Sequence, residues 1–222
     1  MVKIKRLSSV MILIVFIFLA AGASAQNADE AVRLLKEGNA RFVAMKMQHP
    51  DLSVARREVV ATQGQKPFAA VLGCSDSRVP PELIFDRGIG DIFIIRVAGN
   101  VVVGPAVIGS AEYAAEHLAV PVLVVMGHTG CGAGKAAIAA APVDGSMRDI
   151  TAKMQIVVDR VKSEHPELKG VALENAVIKA NVLQGKSDLL SASEELRKLT
   201  GEGKMKILTA VYDMEAGVVE WI

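Results

Sequence analysis

The chain has 222 residues, 51% hydrophobic and 4% aromatic, and its 25 Lys and Arg against 24 Asp and Glu leave a net charge of +1. That length suits one domain with a full core. The balanced charge, with no dense basic patch, argues against a nucleic-acid partner.

The chain opens with Lys3, Lys5 and Arg6, followed by the apolar run "VMILIVFIFLAAG" (residues 10–22) and then "ASA" (residues 23–25). A basic start, a short apolar run and small residues at the cleavage positions define a secretory signal peptide. The run is short for the roughly 20 residues of a membrane-spanning helix, which disfavours an uncleaved anchor. The expected organisation is a signal peptide over residues 1–25 and a single domain over residues 26–222. Of the 222 residues, losing 25 leaves a mature chain of 197, and losing their three positive charges takes the net charge from +1 to −2. The expected location is periplasmic or secreted. No later segment is long and apolar enough to hold the cleaved protein in a membrane.

Downstream, residues 28–47 carry apolar positions at helical spacing, and a second short helix is predicted at 54–62. "FAAVLG" (68–73) reads as a buried strand. "PPELIFD" (80–86) suits a short helix that tolerates proline in its first turn. "DIFIIRVAG" (91–99) is a strand, 103–119 an alanine-rich helix, "PVLVVMGH" (121–128) a strand apolar throughout, and 131–141 a helix. A long helical region at about 147–199 is predicted to break near His165-Pro166 and again around Gly185. Strands at 204–213 and 217–222 close the chain, near enough in sequence to form an antiparallel hairpin at one edge. Strands apolar on both faces that alternate with helices indicate an α/β fold, a central parallel sheet covered on both sides.

In such a sheet, ligands bind beyond the carboxyl ends of the strands. Cys74 follows the first strand, and His128 and Cys131 follow the third, so both segments reach the same edge. In "VLGCSDSRVPPE" (71–82), Cys74, Asp76 and Arg78 alternate and so point to one side of an extended chain. In "GHTGCG" (127–132), His128 and Cys131 are spaced to face one point. Two sulfurs and one nitrogen suit zinc, and three protein ligands with one open position is a catalytic arrangement. Asp76 is a candidate fourth ligand in a closed state of the site. Otherwise it accepts a hydrogen bond from the zinc-bound hydroxide while Arg78 holds it ionised and in place. Gly130 and Gly132 are expected to clear side chains from the metal and allow tight turns. The competing reading from the cysteine count is a disulfide-stapled, non-enzymatic binding protein. His49, His117 and His165 lack such partners.

"CSDSRVPPE", followed 57 residues after its cysteine by the cysteine of "GHTGCG", resembles the β-class carbonic anhydrases. "RVAGN" (96–100) and the terminal strand pair extend the likeness over nearly the whole mature chain. The resemblance implies reversible hydration of CO2 to bicarbonate and a proton, zinc held by Cys74, His128 and Cys131, and a catalytic dyad of Asp76 and Arg78. It implies a four-stranded parallel sheet with an added C-terminal edge strand, and an N-terminal helical arm embracing a second subunit in a homodimer or higher homo-oligomer. Gln65, nine positions before Cys74, falls where one kind of family site carries a substrate-binding glutamine, and Gly132 is the other candidate substrate contact. The inhibited kind of site carries a tryptophan where this chain has Val71, which favours the open, non-inhibited form. Arg96 fits either kind. Hydrolysis of a CO2-like molecule such as CS2 or COS is the second enzymatic reading.

Overall fold

The computed structural model describes residues 27–222. The expected signal segment and its cleavage site lie outside them. Among the described residues no helix is long and apolar enough to cross a membrane.

Helix α1 (Ala28–Val43) starts at Asn27, whose side chain accepts from the Asp29 amide, and buries Ala31, Leu35, Gly38 and Asn39 along one stripe. Helix α2 (Val54–Gln63) is capped by Ser53 but buries no residue at all. It is tied down by Arg56, which donates to the Ile89 carbonyl at 2.8 Å and to Asp91 at 3.1 Å. Strand β1 (Ala69–Cys74) is buried throughout. Next come the one-turn helix α3 (Pro81–Ile84), strand β2 (Ile92–Val97) and a 3-10 turn over Ala98–Asn100. Helix α4 (Gly104–Glu116), strand β3 (Val122–His128) and helix α5 (Gly132–Ile138) follow. The chain ends with α6 (Met147–Glu164), α7 (Gly170–Ala192), α8 (Glu194–Gly201), β4 (Lys206–Tyr212) and β5 (Val219–Trp221).

The sheet order is β2-β1-β3-β4-β5. The first four strands run parallel, and β5 returns antiparallel to β4. Central strands β1 and β3 are apolar and buried on both faces, as a parallel sheet sandwiched by helices requires. The expected α/β architecture with its added C-terminal edge strand is the one observed.

One predicted boundary is corrected. The long helical region breaks after Glu164, as expected, but α7 runs unbroken through Gly185. A Cβ at Gly185 would lie 3.0 Å from Val125 Cγ1, so this glycine lets α7 approach β3 rather than ending a helix. The break falls instead at Ser193, whose hydroxyl accepts from the Leu196 amide and starts α8.

Candidate metal centre

Because β1 and β3 are parallel neighbours, their last residues, Cys74 and His128, emerge together at the carboxyl edge of the sheet. Cys131 sits at the N-cap of α5. The turn between passes through Gly130 at φ +66°, a conformation that glycine adopts freely. Cys74, His128 and Cys131 are all buried, and their ligand atoms lie within 4.8 Å of one another. The two cysteines are unbonded.

His128 shows which nitrogen faces the group. Its Nδ1 is 3.0 Å from the Thr129 carbonyl, so the ring proton belongs there. Its Nε2 is buried with no hydrogen-bond partner among the described residues. An orphaned imidazole nitrogen beside two thiols is costly unless a cation completes it. The thiols point the same way. Cys74 is pulled down from its ordinary pKa, first by a hydrogen bond from Cys131 and further by the amides of Asp76 and Gly99, against its burial. Cys131 is pushed up by the same shared hydrogen bond and by burial. The pair gathers negative charge where the donor atoms converge.

Asp76 lies at the rim. Its Oδ1 accepts from Arg78 Nε and the Arg78 amide, both at 2.9 Å, and its Oδ2 accepts from Arg78 Nη2 at 2.6 Å. That grip, led by the side-chain hydrogen bonds, holds the Asp76 carboxyl well below the usual carboxylate range, against its partial burial. Arg78 also reaches the Gly130 carbonyl at 3.4 Å, linking the two loops that carry the cysteines. Asp76 Oδ2 is 3.9 Å from His128 Nε2, close to the donor set while bound to arginine.

Arg96, which the sequence left without a partner, donates from Nε to the Cys74 carbonyl at 2.8 Å and from Nη2 to the Asp76 carbonyl. It fixes the backbone that presents Cys74 and the Asp76 carboxylate. The Gly99 amide donates to Cys74 Sγ at 3.3 Å, a contact that no motif spacing announced.

The two expected substrate contacts fall in different places. Gln65 precedes β1, so the whole strand separates it from Cys74, about 20 Å at some 3.3 Å per residue. There it lines an open cavity of about 940 Å³ with Lys66, His117, Leu199 and Lys204. Within one chain Gln65 does not join the metal centre. Gly132 opens α5 beside Cys131, and a Cβ there would meet nothing within 4 Å. Of the two glycines expected to allow tight turns, only Gly130 has a positive φ.

A parallel α/β sheet whose carboxyl edge gathers two cysteines, a histidine and an arginine-held carboxylate defines a metal-dependent enzyme. Comparison with known proteins says which kind. The sequence model of the family described as carbonic anhydrase matches residues 69–219. Carbonic anhydrase 2 of Mycobacterium tuberculosis is 39% identical over 196 residues, covering 86% of this chain and 91% of its own. A carbonic anhydrase of Mycolicibacterium smegmatis is 47% identical over 132 residues, 58% of this chain and 63% of its own. Among solved structures, the β-carbonic anhydrase CafA of Aspergillus fumigatus superposes with a TM-score of 0.70 at 25% identity, covering 87% of this chain and 89% of its own. Tetrameric β-carbonic anhydrases of Sordaria macrospora share the fold, with a TM-score of 0.70 at 23% identity over 87% of this chain and 97% of theirs. The chain belongs to the β-class carbonic anhydrase family and is an enzyme of that kind.

Proposed function

We propose that this enzyme is a zinc protein that interconverts CO2 and bicarbonate through the Cys74, His128 and Cys131 centre, with Asp76 and Arg78 as its catalytic dyad. The observation that carries the reading is the convergence of two thiols and an unpartnered, buried imidazole Nε2 within 4.8 Å. Two sulfurs and one nitrogen fit zinc with one position left for substrate chemistry. When bound, zinc would supply the Lewis acidity that makes a water nucleophilic near neutral pH.

The chain's own residues supply the positioning. The ionised Asp76 accepts a hydrogen bond from the attacking oxygen's proton, which turns that oxygen's lone pair toward the carbon of CO2. Arg78 keeps Asp76 ionised and engaged at the rim, the open form of the site. A closed form, with Asp76 as fourth ligand, would require those Arg78 contacts to break. The open space at Gly132 leaves room for a bicarbonate oxygen beside Cys131. Gln65 can contribute a hydrogen bond only from a second subunit, so the proposal includes a homodimer as the smallest complete unit. The basic, apolar and Ala-x-Ala pattern of residues 1–25 supports export and cleavage after Ala25.

Stopped-flow CO2 hydration, followed with a pH indicator on the zinc-loaded mature protein, tests the activity. Turnover no faster than buffer overturns the reading. The same protein offered CS2 or COS, with sulfide release as the readout, tests the alternative substrates. Mass spectrometry of the protein from its native envelope should find Gln26 at the amino terminus.

A further inference from the structure

Cys74 accepts two backbone hydrogen bonds, from the Asp76 amide at 3.4 Å and the Gly99 amide at 3.3 Å. The first is local to its own loop. The second crosses from the turn after β2 and depends on how that turn is held. Gly99 has φ +70° and ψ +11°, and a glycine there does not fix its own torsions. A Cβ on it would lie 2.9 Å from Met154 Sδ and 3.1 Å from Ala133 Cβ, so with its positive φ the position favours glycine, whose freedom leaves the turn to be held by its neighbours.

The holder is on α7. Asn181, only 5% exposed, donates from Nδ2 to the Gly99 carbonyl at 2.9 Å. Its helix is seated firmly. Val182 Cγ1 and Ile178 Cγ2 come within 2.9 and 3.1 Å of where a Cβ on Gly127 would be, directly before His128. Gly185 gives the same close approach to β3 one turn later.

We propose that Asn181 is a positioning residue of the metal centre: its amide pins the Gly99 carbonyl and thereby aims the Gly99 N–H at Cys74 Sγ. The proposal rests on Cys74 being a metal ligand. A donor on a thiolate draws charge from the sulfur, moderates its donation to a metal and holds its rotamer. Losing the clamp frees the glycine, lets the N–H swing away and leaves a buried carbonyl unpaired.

The test uses the full mature protein loaded with cobalt(II), whose thiolate-to-metal charge-transfer band reports the sulfur's electron density. In Asn181→Leu and in the smaller Asn181→Ser, this band should move to lower energy. Metal release to a chelator should accelerate on the order of 10-fold, the usual scale for a residue that orients a ligand. Asn39→Leu is the control. It removes a buried amide that donates to the Ile84 and Gly217 carbonyls away from the centre, and should lower stability while leaving the band in place. An unshifted band with wild-type release in a folded Asn181 variant overturns the proposal, as does an equal shift in Asn39→Leu. The wild-type protein gives a readout free of any folding defect. Loaded with cadmium-113, its Gly99 amide proton should show a coupling to the metal transmitted across the N–H···S contact, and absence of that coupling also overturns the proposal. Failure of the protein to take up either metal at Cys74, His128 and Cys131 defeats the metal reading itself. Uptake with an unshifted band and no coupling defeats only the role of Asn181.

Discussion

Asp76 is two residues from Cys74, a proposed metal ligand, yet its oxygens are committed to Arg78 rather than to the donor set. Asp76→Asn keeps the shape and removes the charge that orients the attacking oxygen. The expected loss in kcat/KM is on the order of 10²-fold or more, the scale of a positioning and proton-handling group. Metal content should stay at about one per chain, because three ligands are untouched. Near-normal hydration by a fully loaded Asp76→Asn would remove the dyad from the mechanism. Cys131→Ala, by contrast, should lose most of the metal, measured by elemental analysis after dialysis. These residues were legible in the sequence because strand ends and their turns bring them together: short spacing kept Asp76 and Arg78 beside Cys74, and a three-residue spacing placed His128 with Cys131. The expected alternation on an extended chain is not what aligns them, because β1 ends at Cys74 and the Val79 amide donates to the Asp76 carbonyl in a turn, within which the Arg78 amide and side chain reach the Asp76 carboxylate. Arg96 was visible as a residue but not as a clamp, since its partners are backbone carbonyls. Gly99 and Asn181 were not legible as parts of the site. Their contribution is a hydrogen-bond chain between distant segments, which exists only once α7 has packed against β3.

Among the elements, the contact between α1 and α3 is set by close approach and one buried charge. A Cβ on Gly38 would fall 1.8 Å from the Phe85 carbonyl oxygen. Gly38→Ala would gain about 1 kcal/mol in helix propensity, but the overlap is with backbone, so the helices must separate. A net loss of about 2 kcal/mol or more is expected in urea melts. Beside this contact Asp86, 1% exposed, accepts from Arg41 and from the Gln48 and His49 amides. Burial alone would raise its pKa, but these partners together outweigh burial and hold it below the ordinary value. Its folded pKa is lowered, so its stabilisation is present above the unfolded value of about 3.9 and is lost as pH falls through the lower folded value. Asp86→Asn should therefore cost about 3 kcal/mol at pH 7, the low end for breaking a buried pair. The gap from wild type should narrow only below about pH 4. A gap that stays constant down to pH 2 would mean the charge is not what stabilises this joint. Gly185 and Gly38 show the limit of reading elements from sequence. Glycine signals both a helix end and a close contact, and only the neighbouring element distinguishes them.

At the scale of the molecule, one chain leaves apolar surface and strand edge uncovered. Met45 is 85% exposed and Leu52 54%, both ahead of α2, and Val54, which opens α2, is 60% exposed; α2 itself buries no residue. Among the described residues, strand β2 ends the sheet with an unpaired edge. Surfaces of this kind are normally covered by a partner, and a second copy is the proposed one. Gln65 makes that proposal testable through chemistry, because in its own chain it lies across the sheet from the metal centre. If it serves the reaction, it serves a neighbour's site. Gln65→Ala should lower kcat/KM about tenfold, the worth of one hydrogen bond to substrate of roughly 1.4 kcal/mol, with metal content unchanged. Co-expression with metal-poor Cys131→Ala chains should then give hybrid assemblies. In these, one centre combines an intact metal triad from the first chain with an intact Gln65 from the second. Activity per bound metal in the purified hybrids should rise above that of Gln65→Ala alone. Hybrids that form, as shown by tagged copurification, yet gain nothing would exclude a role for Gln65 across the subunit boundary.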